Sequence, residues 1–128
     1  MDNFFYNDFY FVESIENKEN NEFVASVKLE PNHPIYEGHF PNSPVTPGVC
    51  IIQIIKEILS DFVKKTLVLK ASDNIKFINM IDPRQVSTLY FQFKYKDIDN
   101  HAITTECTIL DSEKIYVKFK GNYSENKV

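Results

Sequence analysis

The sequence predicts an α+β fold in which an antiparallel sheet curls around one long helix, and three observations support this fold class. Residues 49–65 carry apolar side chains around most of a helical circumference. Several other segments alternate apolar and polar residues with period two, which is typical of strands with one buried face. Short polar connections separate the later strands, and consecutive hairpins form antiparallel sheets. Because so apolar a helix needs a broad surface to bury it, we expect the sheet to curl around it.

The helix is predicted to begin beside Thr46, which is placed to cap it, with Pro47 at the first helical position, where no amide hydrogen is needed. It is predicted to continue to about Lys65. Lys64 and Lys65 would then lie in the last turn, close to the negative end of the helix dipole. A polar stripe interrupts its apolar surface and consists of Gln53, Lys56, Glu57, Ser60 and Lys64.

About six strands are predicted from alternation and from turn-forming residues. They cover residues 4–12, 22–30, 74–80, 89–96, 103–109 and 115–120. A polar turn at residues 17–21 joins the first two, and a turn at residues 111–113 joins the last two. Because no internal repeat or linker separates these elements, we interpret residues 1–128 as a single domain.

Composition and charge argue against several functions. Fourteen Lys and Arg residues against eighteen Asp and Glu residues give a net charge of −4, whereas a generic nucleic-acid-binding protein is basic. The longest apolar stretch, residues 49–59, contains charged side chains and is too short to span a membrane. The start of the chain lacks a secretory pattern, so we expect a cytoplasmic protein. Cys50 and Cys107 form no CxxC pair, so we expect reduced thiols, and we predict no metal ion or cofactor.

The residues that carry chemistry lie in one stretch, residues 37–49. Five of the six prolines lie in residues 31–48, which predicts a rigid loop. His39 lies on this loop, and histidine can act as a general base near neutral pH. Gly48 and Val49 begin the helix, where free amides and the positive end of the helix dipole favour a developing oxyanion. A base beside such donors suits proton abstraction next to a carbonyl group.

These residues resemble the signature of a known family. The HFPxxPVxPGV motif of the hot-dog-fold 3-hydroxyacyl-acyl-carrier-protein dehydratases of fatty-acid synthesis is similar to His39-Phe40-Pro41, Pro44-Val45 and Pro47-Gly48-Val49. The resemblance implies a hot-dog fold over most of the chain. It also implies that His39 is the catalytic histidine and that the Gly48 amide donates to the thioester carbonyl.

The resemblance further implies how the protein assembles and what it binds. Family members pair two hot-dog domains side by side, so that each active site takes the loop of one subunit and the helix of the other. Many relatives assemble further as trimers of dimers. An acyl chain on an acyl carrier protein or coenzyme A enters a tunnel along the interface. The residues expected to contact the substrate or line this tunnel are Tyr36, Phe40, Val45, Val49, Ile52 and Phe77.

The sequence departs from the family pattern at one important position. Fourteen residues after the histidine, family dehydratases carry a glutamate or aspartate that helps to protonate the departing hydroxyl, whereas this chain has Gln53. An amide does not donate a proton in the useful pH range, but it can hold water or a substrate oxygen by hydrogen bonds. Glu57, one turn further on the same face, is either a substitute acid or part of a structural pair with nearby lysines.

Three functions stay open at this point. The first is a dehydratase in which His39 removes the α-proton and Gln53 holds the leaving oxygen or a water, giving a trans-2-enoyl thioester. The second is a non-catalytic thioester-binding subunit that forms a heterodimer with an acid-bearing homologue. The third is a hot-dog acyl thioesterase, in which polar helix residues position a hydrolytic water.

Overall fold

A computed structural model describes residues 7–38, 44–99 and 101–126, which form a six-stranded antiparallel sheet and one long helix. The strands are β1 Tyr10–Asn17, β2 Glu22–Leu29, β3 Leu67–Phe77, β4 Leu89–Asp99, β5 Ala102–Leu110 and β6 Ile115–Glu125. The helix α1 covers Gly48–Val63, and a short 3-10 helix covers Pro34–Tyr36. The strand order is β1-β2-β4-β5-β6-β3, which places β1 and β3 at opposite edges of the sheet.

Both edge strands contact the helix. On β1, the Tyr10 hydroxyl donates a hydrogen bond to the Glu57 carboxylate of α1 over 2.9 Å. At the end of β3, the Phe77 ring lies against the backbone of Gly48 at the beginning of α1. Because opposite edges of one sheet contact the same helix, the sheet is curled around it, as the sequence predicts.

The core lies between the helix and the inner face of the sheet. On β4, Leu89, Phe91 and Phe93 are buried while the intervening side chains are exposed, which confirms the period-two pattern. The ring of Phe23 on β2 stacks between Phe62 of α1 and Phe93, with centroid distances of 3.8 and 4.5 Å. Such aromatic pairs add stabilisation beyond the burial of their apolar area. None of the helices among the described residues has the length and apolar character of a membrane span.

The predicted beginning of the helix was wrong by one or two residues. Pro47 is the N-cap rather than the first helical residue, and no side chain caps the helix. The Thr46 hydroxyl instead forms a 3.0 Å hydrogen bond with the Tyr36 hydroxyl. Its backbone amide donates to the Ile81 carbonyl over 2.9 Å. Thr46 therefore anchors the segment before α1 to the rest of the fold and does not cap the helix.

The predicted end of the helix was also wrong. α1 ends at Val63, and Lys64 is its C-cap in the left-handed conformation, with a φ of 59°. The amides of Lys64 and Lys65 both donate to the Ser60 carbonyl, which closes the helix. The two lysines consequently follow the last turn and do not lie within it.

The strand predictions were right in number and order but less accurate at their ends. β1 begins at Tyr10 rather than at residue 4 and continues to Asn17; residues 1–6 lie outside the described residues. β3 begins at Leu67, well before the predicted residue 74. Two irregularities in its pairing with β6, at residues 69–71 and 72–74, interrupt the alternation of side chains. The period-two signal is therefore lost over the first half of β3.

Candidate functional site

Two of the predicted site residues, His39 and Phe40, lie outside the described residues, together with residues 41–43. The segments on either side of them are described. On one side the 3-10 helix ends at Tyr36, and on the other residues 44–47 lead into α1. The geometry of the site is therefore defined by these flanking segments, the helix and the segment that follows β3.

The beginning of α1 presents backbone donors. Gly48 and Val49 are its first two residues, and their amides have no acceptor within the helix. Cys50 is the first residue whose amide is bonded, to the Pro47 carbonyl over 3.0 Å. Pro47 itself has no amide hydrogen. Since the positive end of the helix dipole lies here as well, these two amides are suited to an oxygen that gains negative charge.

Gly48 is required here by the close approach of an aromatic ring. A Cβ atom added at this position would lie 2.9 Å from Cζ and 3.3 Å from Cε1 of Phe77. Phe77 is 52% exposed, so its ring lies over the start of the helix at the protein surface. Glycine therefore allows the ring and the helix backbone to meet, in addition to any contact that its amide makes with a substrate.

A cavity of about 500 Å³ opens beside the first turn of α1. It brings together three of the predicted site residues: Val45, Gly48 and Phe77. The other residues that line it are Thr46, Ile51, Ile78, Asn79, Met80 and Ile81. Residues 78–81 were not predicted to line the site, because they are distant from it in sequence and only the fold brings them beside α1, where the Thr46 amide donates to the Ile81 carbonyl.

The surface around this cavity is strongly apolar. Val49 is 76% exposed and Met80 is 77% exposed, and Ile78 and Phe77 are about half exposed. Soluble proteins rarely expose contiguous apolar patches unless something binds there. The predicted substrate residue Val49 is exposed next to Gly48 but does not line the cavity, and Ile52 is half-buried on the helix.

Tyr36 lies in the core at the end of the 3-10 helix. It is buried, its ring stacks on that of Phe9 at 5.6 Å, and its hydroxyl is hydrogen-bonded to Thr46. Burial raises the pKa of Tyr36 to about 12, and the hydrogen bond to Thr46 only partly offsets this effect. In this chain the hydrogen bond of Tyr36 links the two described segments on either side of residues 39–43. The predicted contact of Tyr36 with an acyl chain stays a prediction.

Gln53 belongs to a partly buried hydrogen-bonded network in the middle of α1. Its side-chain amide Nε2 donates to Oε2 of Glu57 over 2.7 Å. Oε1 of the same carboxylate accepts the hydrogen bond from Tyr10. Glu57 is only 1% exposed, and a buried carboxylate requires such donors. The predicted pairing of Glu57 with lysines was wrong because Tyr10, distant in sequence, occupies one oxygen and Gln53 the other.

A second cavity, of about 310 Å³, lies against this network. It is lined by Glu57 together with Tyr10, Val12, Ser14, Ile15, Ile58 and Asp61. Gly48 and Gln53 are five residues apart, so they lie about 140° apart around the helix and about 7.5 Å apart along its axis. The backbone donors and the Gln53 side chain therefore belong to different faces of α1.

Both cysteines are buried and free, which confirms the prediction of reduced thiols. Burial raises the pKa of Cys50 and raises that of Cys107 well above its usual value. Since the thiolate is the reactive form of cysteine, both side chains act as small core residues.

Comparison with known proteins places this geometry in context. Residues 15–120 match the model of a family described as ApeI-like, ApeI dehydratase. The chain is 28% identical over 123 residues to the 3-hydroxyacyl-acyl-carrier-protein dehydratase FabZ of Caulobacter vibrioides, covering 88% of this chain and 67% of that protein. It is 31% identical over 115 residues to FabZ of Buchnera aphidicola subsp. Acyrthosiphon pisum, covering 88% of this chain and 71% of that protein.

A solved structure shares the fold. In the structure of the dehydratase heterocomplex ApeI:P from Xenorhabdus doucetiae, one chain matches with a TM-score of 0.67 and 18% identity. The match covers 90% of this chain and 97% of that chain. The predicted hot-dog fold, a curled sheet around one central helix, is confirmed by this likeness.

Proposed function

This chain belongs to the ApeI-like dehydratase family, and we propose that it removes water from a 3-hydroxyacyl thioester to give the trans-2-enoyl thioester. One observation carries the proposal. The amides of Gly48 and Val49 have no acceptor within the helix, and Gly48 lines an apolar cavity of about 500 Å³, which suits a thioester carbonyl with an acyl chain. The FabZ relatives are named as acyl-carrier-protein dehydratases, which supports a substrate carried by an acyl carrier protein, with coenzyme A as the alternative carrier.

The reaction follows from these groups together with His39. The imidazole removes the α-proton, and the electron pair moves toward the carbonyl, whose oxygen is stabilised by the Gly48 amide. The electrons then return to form the double bond and expel the 3-hydroxyl group. The leaving oxygen takes a proton from the imidazolium and departs as water. Gln53 holds that oxygen by a hydrogen bond, since its amide does not supply a proton.

The complete site requires two copies of the chain. Gly48 and Gln53 lie about 140° apart around α1, so one chain does not present both groups to the same small acyl segment. A homodimer, or a trimer of such dimers, combines the loop and helix start of one subunit with the Gln53 face of its partner. The exposed side chains of Val49, Met80 and Phe77 support this assembly because a second chain would cover them.

A second candidate is a thioester-binding subunit that requires an acid-bearing homologue for catalysis. One observation favours it: position 53 carries an amide, and the nearest helix carboxylate, Glu57, is buried and bonded to that amide. The Xenorhabdus doucetiae protein is named as a heterocomplex, which makes such a pairing plausible for this chain. In this case a carboxylate of the partner would protonate the leaving hydroxyl.

The test measures hydration of a trans-2-enoyl thioester by the purified protein, with the loss of the enoyl absorbance as the readout. We expect activity in the wild type and a decrease of about 10²- to 10⁴-fold in His39→Ala, the range for loss of a general base. His101→Ala is the matched control, since His101 lies on the exposed β4–β5 connection. Activity only after mixing with an acid-bearing homologue would support the second candidate. Release of free thiol without hydration would instead indicate a thioesterase.

A further inference from the structure

Glu57 is buried and hydrogen-bonded to the residue that occupies the family's acid position, yet the mechanism above assigns it no step. We infer that Glu57, held by Tyr10, is a positioning residue that turns the carbonyl oxygen of Gln53 toward the 3-hydroxyl of the substrate. The inference rests on the proposed function and adds to it a determinant of specificity: recognition of the hydroxyl by an oriented amide.

The geometry defines which end of the Gln53 amide faces Glu57. A carboxylate accepts hydrogen bonds and does not donate them, so the Gln53 atom 2.7 Å from Oε2 is the nitrogen. Nitrogen and oxygen are on opposite arms of the same planar amide. Holding the nitrogen toward Glu57 therefore turns Oε1 of Gln53 away from the carboxylate. Without Glu57, the amide could present either arm.

Tyr10 makes this orientation rigid. Its side chain is 1% exposed on β1, and its hydroxyl donates to the other oxygen of Glu57 over 2.9 Å. Both oxygens of the carboxylate are thereby held, one from the sheet and one from the helix. Gln53 is only partly buried, so its amide is the member of this network that extends toward the surface of α1.

An oriented carbonyl oxygen suits the chemistry of dehydration. It accepts the hydrogen of a 3-hydroxyl group, which leaves the lone pairs of the hydroxyl oxygen available to the imidazolium of His39. A substrate without the hydroxyl would leave the amide oxygen without this donor, and such losses discriminate strongly between ligands. The network thus selects 3-hydroxyacyl groups over saturated acyl groups of the same length.

The experiment measures this preference without requiring turnover. Amide analogues of 3-hydroxybutyryl-pantetheine and butyryl-pantetheine are titrated into the protein by calorimetry. We expect the wild type to bind the hydroxy analogue about tenfold more tightly, the value of one good hydrogen bond. Glu57→Gln should reduce this ratio to about twofold, because an amide at position 57 can face either arm of Gln53. Tyr10→Phe, which keeps the ring, should give an intermediate ratio.

Asp61→Asn is the matched control, because it makes the same carboxylate-to-amide change at an exposed residue one turn further along the same helix. It should keep the tenfold ratio. No preference in the wild type, or a full preference in folded Glu57→Gln, would overturn the inference. If Glu57→Gln does not fold, Tyr10→Phe decides: a reduced ratio supports the inference and an unchanged ratio refutes it. Tighter binding of the hydroxy analogue by a protein without dehydratase activity would contradict only the proposed function. Dehydratase activity without tighter binding of the hydroxy analogue would contradict only this inference.

Discussion

The beginning and the middle of α1 differ in how their polar groups are hydrogen-bonded. At the beginning, the amides of Gly48 and Val49 have no acceptor in the helix, and the side chains around them are exposed and apolar. In the middle, Glu57 is buried and both of its oxygens are hydrogen-bonded within the same chain. The comparison agrees with the proposal that a substrate and a partner complete the beginning of the helix, whereas the fold itself satisfies the Glu57 carboxylate.

The largest effect is expected at Glu57, whose carboxylate is hydrogen-bonded within the chain. Glu57→Ala should lower the free energy of unfolding by about 3 kcal/mol, because it removes two hydrogen bonds and leaves a cavity in the core. Glu57→Gln keeps the volume and should cost about 1 kcal/mol. Urea denaturation measures both values. A loss below about 0.5 kcal/mol for Glu57→Ala would show that the network contributes no net stability.

A second effect is expected at the open end of the helix, on association rather than on folding. Met80→Asp should weaken the dimer about 30-fold, because it places a charge in an apolar interface. The fold of the single chain should change little, since Met80 is 77% exposed. Sedimentation equilibrium measures the association. Ile98→Asp, at another exposed apolar residue, is the control and should leave association unchanged. Equal weakening by both variants would contradict the assigned interface.

Gly48→Ala tests the site at the beginning of α1, where Gly48 meets the ring of Phe77. The new Cβ would lie 2.9 Å from Cζ of Phe77 and push the ring into the cavity, so enoyl hydration should decrease about tenfold. The double variant with Phe77→Leu removes the atoms that clash and should recover most of the rate. If the double variant is as slow as Gly48→Ala alone, the displaced ring is not the cause of the loss.

The smallest effect concerns Tyr36, whose hydroxyl is hydrogen-bonded to Thr46 in the segment before α1. Tyr36→Phe removes the hydrogen bond to Thr46 and should cost about 1 kcal/mol near pH 7. Burial raises the folded-state pKa of Tyr36 to about 12 from a usual value of 10.0. Its stabilising contribution is therefore complete below pH 10.0 and is lost as the pH rises toward 12. Denaturation at several alkaline pH values should show the difference between wild type and variant shrinking over that range.

The sequence predicts the elements whose side chains follow a regular period. β4 was predictable because Leu89, Phe91 and Phe93 alternate with polar residues and point into the core. The first half of β3 was not, because its pairing irregularities move side chains off the alternating pattern. Thr46 looked like a helix cap, but a long-range hydrogen bond with Tyr36 occupies its hydroxyl.

The candidate site likewise has a part that the sequence predicts and a part that it does not. The cluster of proline, glycine and histidine residues is local in sequence, so the positions of Gly48 and Val49 at the helix start could be predicted. The contact between Tyr10 and Glu57 joins residues 47 positions apart, and no local pattern indicates it. The exposure of Met80 beside the first turn likewise depends on how the segment after β3 packs, which only the structure shows.

The hydrogen bond between Tyr36 and Thr46 has an evolutionary consequence. It joins residues ten positions apart, so both ends of the intervening segment are tied to the core. Because the entropic cost of bringing two ends of a chain together depends mainly on its length, substitutions between these ends that do not alter the stiffness of the backbone leave that cost nearly unchanged. Insertions, by contrast, would lengthen the segment between its two fixed ends. Selection can thus vary the reacting groups by substitution while the scaffold keeps its stability, which is how one architecture comes to host several chemistries.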